Sequence, residues 1–209
     1  MASMIWPHLG VRGVWIRLNN KPWNRVSAGT QGLRAGDVDG DGKDELIANL
    51  GREGLWARYN NSRWVKLQPA SPIRLATGDL DGNGQDELIA EFSGGIFVRY
   101  NNTAPFIKLP NGPTQGLATG DLDGDGRDEL LADLGSRGFW AYYNNAAPWK
   151  KLDPRSPTSL VATDLDSDGK DDVVGAFGNA GLLARYNNAG AFVRLRAGPS
   201  QAITAGGFN

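Results

Sequence analysis

The chain repeats itself with a period of about 42 residues. The acidic stretch 36–46 returns at 78–88, 120–130 and 163–173, and the aspartates that lead the copies, at positions 37, 79, 121 and 164, are 42, 42 and 43 residues apart. A second motif, Gly-apolar-aromatic-x-Arg-Tyr-Asn-Asn with local variation, begins at Gly13, Gly54, Gly95, Gly138 and Gly181. Repeats of this length must stack on one another to bury a core. Five such units fill the 209 residues, which predicts a single domain over 1–209.

Each unit contains only short apolar segments, which Gly, Pro or Asn separate. In one unit they lie at 45–50, 55–59, 64–67 and 73–78, and none has the length or the 3.6-residue period of a helix. Four short strands in every 40 to 45 residues are typical of a propeller blade. The sequence therefore predicts an all-β fold, a five-bladed β-propeller with four antiparallel strands per blade.

The two ends of the chain resemble parts of one blade. Residues 201–206 match the first strand of a unit, and residues 4–10 align with the second strand at 45–51. We therefore expect the last blade to combine N-terminal strands with the C-terminal strand, which also protects two sheet edges. The alternative is a set of five units cut from a longer open array.

Composition excludes several functional classes. The 22 Lys and Arg residues against 23 Asp and Glu give a net charge of −1, so the charge excess of a nucleic-acid binder is missing. Without cysteine, thiol chemistry and Cys-ligated metals are excluded. The single histidine, His8, has no apparent catalytic partner, and no apolar run is long enough to insert into a membrane. The sequence predicts a non-enzymatic protein, and we expect no signal peptide within this chain.

The acidic repeats supply oxygen ligands at the spacing that calcium requires. In Asp-x-Asp-Gly-Asp-Gly-x-Asp-Glu, side chains at positions one, three, five and nine and the carbonyl at position seven can surround one Ca²⁺. An EF-hand is excluded, because its position twelve is Ala48, Ala90, Ala132 or Gly175 here. Asp-Gly pairs also make good turns without any metal. In each of the four loops, however, the clustered carboxylates would repel one another strongly if no cation were bound. Mg²⁺ is disfavoured because it gives up its water ligands reluctantly.

The sequence thus predicts about four Ca²⁺ ions. The predicted ligands, with the carbonyl oxygen at each seventh position, are Asp37, Asp39, Asp41, Lys43 and Glu45; Asp79, Asp81, Asn83, Gln85 and Glu87; Asp121, Asp123, Asp125, Arg127 and Glu129; and Asp164, Asp166, Asp168, Lys170 and Asp172.

These four loops resemble the FG-GAP/VCBS repeat family, calcium-loop propeller blades that also occur in integrin α-chain heads, fungal lectins and bacterial surface proteins. The resemblance covers essentially the whole chain. It implies that the metal is structural and holds the turn between the first and second strands of a blade. It implies no catalytic role.

Aromatic, amide and cationic residues also recur once per unit. We take them as candidate ligand-binding groups, since aromatic faces stack on sugar rings while Asn and Arg bind hydroxyl groups. The alternative is structural, with aromatic residues packed between blades and Asn residues in left-handed hairpin turns. The candidates are Asn20, Trp23, Asn61, Trp64, Asn102, Phe106, Asn145, Trp149, Asn188, Phe192, Arg58 and Arg99.

Two functions remain open at this point. The first is a lectin-like module that binds carbohydrate at several sites, which would gain by avidity. The alternative is a propeller that binds a protein surface or serves as a scaffold, natural, excised or engineered, in which calcium is purely structural. We expect the chain to be a monomer that binds a glycan or a protein surface. We expect it to act outside the cell or at the cell surface, where calcium loops are most reliably filled.

Overall fold

The computed structural model describes residues 4–5, 13–17, 22, 24–27, 29–103, 105–146, 148–200 and 203–204. Their strands form five antiparallel sheets. The N-terminal sheet has β1 (Met4–Ile5), β2 (Val14–Arg17) and β3 (Asn24–Ser27), and sheet 1 has β4 (Gly32–Gly36), β5 (Glu45–Asn49), β6 (Leu55–Tyr59) and β7 (Arg63–Gln68). Sheet 2 has β8 (Arg74–Gly78), β9 (Glu87–Phe92), β10 (Gly95–Arg99) and β11 (Ile107–Lys108). Sheet 3 has β12 (Gly116–Gly120), β13 (Glu129–Asp133), β14 (Phe139–Tyr142) and β15 (Lys150–Asp153), and sheet 4 has β16 (Ser159–Thr163), β17 (Asp172–Ala176), β18 (Leu182–Arg185) and β19 (Val193–Arg196).

Strands follow one another across each sheet in chain order, as a meander of hairpins. The second strand of a sheet is the most deeply buried, and β5, β13 and β17 are buried over their whole length. Both faces of these strands are covered by neighbouring sheets, which explains why apolar and polar residues alternate poorly along them. The prediction of four antiparallel strands per unit is confirmed for sheets 1 to 4.

The first strands of sheets 1 to 4 lie side by side around an open channel. β4 contacts β8, β8 contacts β12, and β12 contacts β16. Hydroxyl groups connect neighbouring strands: Thr77 Oγ1 donates to the Ala35 carbonyl oxygen, and Thr119 Oγ1 donates to that of Thr77. The channel has a volume of about 670 Å³, and residues 203–204 line it with the four strands. The sheets thus radiate from a common axis in a propeller-like arrangement.

The core lies between neighbouring sheets. Its largest cluster joins sheets 2 and 3 and includes the fully buried Ile89, Ile96, Val98 and Leu130. The apolar residue after the first aspartate of a loop also points into these interfaces, with Val38, Leu80 and Leu122 only 0–2% exposed. The acidic loops are therefore anchored to the core that holds the sheets together.

Two details differ from the sequence-based expectations. Three of the turns between second and third strands form 3-10 helices, η1 (Gly51–Glu53), η2 (Gly135–Arg137) and η3 (Gly178–Ala180). The alignment of residues 4–10 with 45–51 was wrong by one residue. Met4 pairs with Arg17, as Leu46 pairs with Arg58, because the connection to the third strand is one residue longer in the N-terminal sheet. The inner strand expected for this sheet at 201–206 lies largely on residues 201–202 and 205–206, outside the described part of the chain.

Candidate functional site

Each acidic loop folds around its first aspartate. Asp37 Oδ1 accepts hydrogen bonds from the N–H groups of Gly40 (2.8 Å) and Asp41 (3.1 Å), and its Oδ2 accepts one from Gly42 (2.8 Å). Gly40 and Gly42 have φ values of 75° and 80°, which favour glycine. Asp79, Asp121 and Asp164 organise their loops through the same three donors.

The loops bring carboxylates together in four clusters among the described residues. In each cluster the potential ligand atoms lie within 4.8 Å of one another. Three clusters combine positions one, three and nine of the loop, and the first combines positions one, three and five. The clusters are Asp37, Asp39 and Asp41; Asp79, Asp81 and Glu87; Asp121, Asp123 and Glu129; and Asp164, Asp166 and Asp172. These clusters could bind metal ions.

The other predicted ligands lie on the same loops, with individual roles. Asp125 Oδ1 accepts from the Arg127 N–H (2.9 Å), and Asp168 Oδ1 accepts from the Lys170 N–H (2.9 Å). Asn83 Oδ1 accepts from the Gln85 N–H (2.7 Å), while Asp41 pairs with the Lys43 ammonium group (3.0 Å). Glu45 is buried below the first loop and accepts from the Asn60 N–H (3.3 Å). The seventh-position carbonyl groups remain predicted ligands.

Buried oxygen atoms without a hydrogen-bond partner provide a test of whether these loops suit a cation. Such atoms are Glu45 Oε2, Glu87 Oε1 and Asp123 Oδ1, one in each of three loops. A buried polar atom normally has a partner, because its desolvation is costly. A hard cation such as Ca²⁺ or Mg²⁺ would coordinate carboxylate oxygens of this kind. The donor set therefore fits a divalent metal.

The same three loops contain glutamates with raised pKa values. Burial, followed by the charge of neighbouring aspartates and opposed by backbone hydrogen bonds, raises the pKa of Glu45 and of Glu87 to about 7. Glu129 behaves in the same way, with its pKa also raised to about 7 by burial and by Asp123 and Asp121. Without a bound cation, it is thus energetically unfavourable for all the carboxyl groups of one loop to be ionised together.

Neighbouring loops are connected directly by the eighth residue of the motif. The Asp86 N–H donates to the Asp37 carbonyl oxygen (2.8 Å), and the Asp37 N–H donates to Asp86 Oδ2 (3.0 Å). Asp128 and Asp79 form the same reciprocal pair. Gly78 allows this approach, since a Cβ atom there would lie 2.3 Å from Asp128 Oδ2. Sequence reasoning missed this role, although an aspartate recurs at 44, 86, 128 and 171.

The paired asparagines form left-handed hairpin turns and also connect the sheets. The eight asparagines of these pairs in sheets 1 to 4 have φ between 48° and 55°. The second asparagine accepts a hydrogen bond from a tyrosine hydroxyl of the preceding sheet: Tyr59 to Asn102, Tyr100 to Asn145, and Tyr143 to Asn188. Asn61 is exposed. Asn20 and Trp23 lie outside the described residues.

The aromatic and arginine candidates occupy partly buried positions. Trp64, Phe106, Trp149 and Phe192 pack against the inter-sheet clusters. Arg58 and Arg99 donate to the carbonyl oxygens of Asn61 and Asn102 in their own hairpins. These contacts give the candidates a structural role. That they also bind a ligand remains a prediction.

A crevice recurs at two of the connections between sheets, at the ends of the strands opposite the acidic loops. At the connection from the N-terminal sheet to sheet 1, η1 and residues 29–31 line an open crevice of about 500 Å³. At the connection from sheet 2 to sheet 3, η2 and residues 112–115 line an open crevice of about 470 Å³. Thr30 and Gln31 in the first crevice correspond to Thr114 and Gln115 in the second, and Arg52 and Arg137 add a guanidinium group to each. We call these the inter-sheet crevices.

Comparisons with known proteins identify similar folds. No known protein-family profile and no curated protein matches the chain. A solved structure of an Agrocybe aegerita lectin, described as specific for non-reducing terminal N-acetylglucosamine, matches 88% of this chain at 20% identity with a TM-score of 0.60. BBS1N, solved in complex with ARL6DN, matches 96% at 12% identity with a TM-score of 0.65, and the V. cholerae biofilm matrix protein Bap1 matches 87% at 19% identity with a TM-score of 0.54.

These similarities concern the fold. The chain spans 60%, 66% and 32% of the three structures, respectively, and together with the radial sheets they show an all-β, propeller-like architecture. No helix among the described residues has the length and apolarity needed to cross a membrane.

Proposed function

We propose that the chain is a non-enzymatic, calcium-stabilised five-bladed propeller of the FG-GAP/VCBS type that binds carbohydrate at the two inter-sheet crevices. The observation that carries the binding function is the repetition of a polar crevice, with Thr and Gln at equivalent positions, at two of the connections between sheets. The fold similarity to a lectin supports it. Calcium dependence supports a place outside the cell or at its surface.

Closure of the ring is supported by apolar residues of sheet 4. Leu165 is 44% exposed, whereas its equivalents Val38, Leu80 and Leu122 are buried. Leu195 on β19 is also 44% exposed, whereas its equivalent Leu109 in sheet 2 is buried. In a closed ring, the N-terminal sheet, completed by the C-terminal strand, would cover this face. Deleting residues 201–209 should then lower the midpoint of thermal unfolding by several degrees, and an unchanged midpoint would contradict closure.

Calcium is the ion we assign to the four clusters. The ligands are all oxygen atoms, glycines at positive φ allow the tight turns of the loops, and each loop offers more carboxylates than the few through which Mg²⁺ is usually held. When bound, the ion would supply charge compensation for the buried carboxylates. Its role is to stabilise the folded loops. Because the Asp37–Asp86 and Asp79–Asp128 pairs connect neighbouring loops, the ion also stabilises the contact between neighbouring sheets.

Carbohydrate is the ligand class that best fits the inter-sheet crevices. Volumes of 470 and 500 Å³ lie in the range of small-ligand sites, and Thr, Gln and Arg side chains offer both donors and acceptors to sugar hydroxyl groups. Two or more weak sites on one rigid body gain strongly in avidity on a multivalent glycan surface.

A glycan array probed in the presence of Ca²⁺ tests this function. We expect binding that weakens when Gln31→Ala is combined with Gln115→Ala, and that survives the surface substitution Arg63→Ala, because Arg63 lies on β7 away from both crevices. If Trp64→Ala abolishes binding and the crevice variants do not, the site lies at the recurring aromatic residues that include Trp64 instead. If the calcium-loaded protein binds no glycan, the scaffold alternative replaces the lectin proposal.

A further inference from the structure

The chain contains two Asn-Gly pairs, Asn83–Gly84 and Asn111–Gly112. In such pairs the backbone nitrogen of the glycine can attack the side-chain amide of the asparagine, because glycine has no Cβ atom to obstruct the approach. The reaction depends on how the folded protein holds the nitrogen and the amide. The two pairs differ sharply in this respect.

At Asn111, the glycine nitrogen is held beside the side-chain amide. The Gly112 N–H donates to Asn111 Oδ1, with 3.0 Å between nitrogen and oxygen. Arg137 Nη1 lies 3.3 Å from the same oxygen, and its Nη2 would lie 3.1 Å from a Cβ atom on Gly112. A guanidinium group placed there stabilises negative charge on the amide oxygen as it develops, and it also favours loss of the proton from the glycine nitrogen.

At Asn83, the same two groups have other hydrogen-bond partners within and beside the acidic loop. The Gly84 N–H donates to Asp79 Oδ2 (2.7 Å), so an adjacent carboxylate opposes loss of its proton. Asn83 Oδ1 accepts from the N–H of Gln85 rather than from Gly84, and Asn83 Nδ2 donates to Asn101 Oδ1 (2.8 Å). The loop therefore protects this asparagine.

We infer that Asn111 is a modification site, at which Gly112 and Arg137 promote intramolecular deamidation. The Gly112 nitrogen loses its proton to solvent and forms a bond to Asn111 Cγ. The C–Nδ2 bond then breaks, and Nδ2 takes up a proton and leaves as ammonia, giving a succinimide. Water opens this ring at either carbonyl group, which yields aspartate or isoaspartate. In sum, water is consumed and ammonia released, with no oxidant or reductant.

The consequence is local, because the product places a carboxylate beside Arg137 at the edge of one inter-sheet crevice. The equivalent crevice beside η1 has no Asn-Gly pair. The modification would thus make two similar crevices chemically different with time.

The test follows both asparagines in the full-length protein during incubation in mildly alkaline buffer, by peptide mapping with mass spectrometry and enzymatic labelling of isoaspartate. We expect conversion at Asn111 to exceed that at Asn83 by on the order of tenfold, and Arg137→Gln to reduce the Asn111 rate alone by roughly the same factor. In protein unfolded by urea, the two rates should become similar.

Equal rates in the folded protein, or faster conversion at Asn83, would overturn the inference. So would an unchanged Asn111 rate in Arg137→Gln. Arg137 is exposed, so this variant should fold, and its thermal midpoint checks that it does. Gly112→Ala provides a second variant, which should slow Asn111 conversion even if the arginine variant were unstable.

Discussion

Replacing Glu87 by glutamine should have opposite effects on stability with and without calcium. The carboxylate is fully buried; its Oε2 accepts from the Leu80 N–H (2.9 Å), whereas Oε1 has no hydrogen-bond partner. Without a cation, this charge lies close to those of Asp79 and Asp81. A glutamine can keep the bond to Leu80 and direct its NH₂ group towards the two aspartates.

The size of the effect follows from the raised pKa. Burial raises the pKa of Glu87 from 4.5 to about 7, which corresponds to an upper bound of about 3.5 kcal/mol at about 1.4 kcal/mol per pKa unit. A carboxyl group whose pKa is higher in the folded state destabilises that state as the pH rises through this window, so the full cost is present at about pH 8. Part of it is screened by solvent at the loop, and we expect a gain of about 1 to 2 kcal/mol for Glu87→Gln in EGTA, or a few degrees in midpoint.

Thermal unfolding at about pH 8, in EGTA and in Ca²⁺, measures the change in stability caused by Glu87→Gln without and with the metal. The variant should unfold at a higher temperature than the parent in EGTA, and it should gain less than the parent from calcium because it has lost a ligand. Glu91→Gln is the matched control. Glu91 is equally buried, but Arg74 and Thr114 donate to both of its oxygens, so this change should destabilise in both buffers. If Glu87→Gln also destabilises equally in both, Glu87 is a structural hydrogen-bonding residue and the reasoning is refuted.

Three further changes test other parts of the structure. Ser167→Gly should stabilise the protein by about 1 kcal/mol in urea denaturation, because Ser167 has φ 61° where the other loops have glycine; a loss of stability would contradict this. Tyr100→Phe should cost about 1 kcal/mol by removing the bond to Asn145, and a double-mutant cycle with Asn145→Ala that gives no coupling energy would refute the contact. Phe139→Ala should cost about 3 to 5 kcal/mol, since this side chain is 1% exposed between sheets 3 and 4; a cost below 1 kcal/mol would mean that this interface is loosely packed.

The local features of the fold could be predicted from the sequence because they repeat. Strand number per unit, the position of the acidic loops and the left-handed asparagine turns all depend on residues close together in the chain. The grouping of positions one, three and nine in three loops likewise follows from the turn geometry that Gly and Asp impose.

Contacts between units could not be predicted in the same way. The pairs Asp37–Asp86 and Tyr100–Asn145 join residues more than forty positions apart, and recognising them requires the relative placement of neighbouring sheets. The eighth aspartate of the motif has no role in the sequence-based prediction, whereas the carboxylate and N–H of Asp86 and of Asp128 bond the preceding loop. The register of β1 was missed because one additional residue in its connection to β2 leaves no mark in the residue pattern.

The central claim is that the acidic loops are calcium sites that stabilise the ring. Isothermal titration of Ca²⁺ into protein stripped with a chelator measures this most directly, with the ion count checked by mass spectrometry under native conditions. The account predicts four ions per chain, one for each cluster, and a higher unfolding temperature for the loaded protein. A stoichiometry near zero, with the same unfolding temperature in calcium and in EGTA, would contradict it.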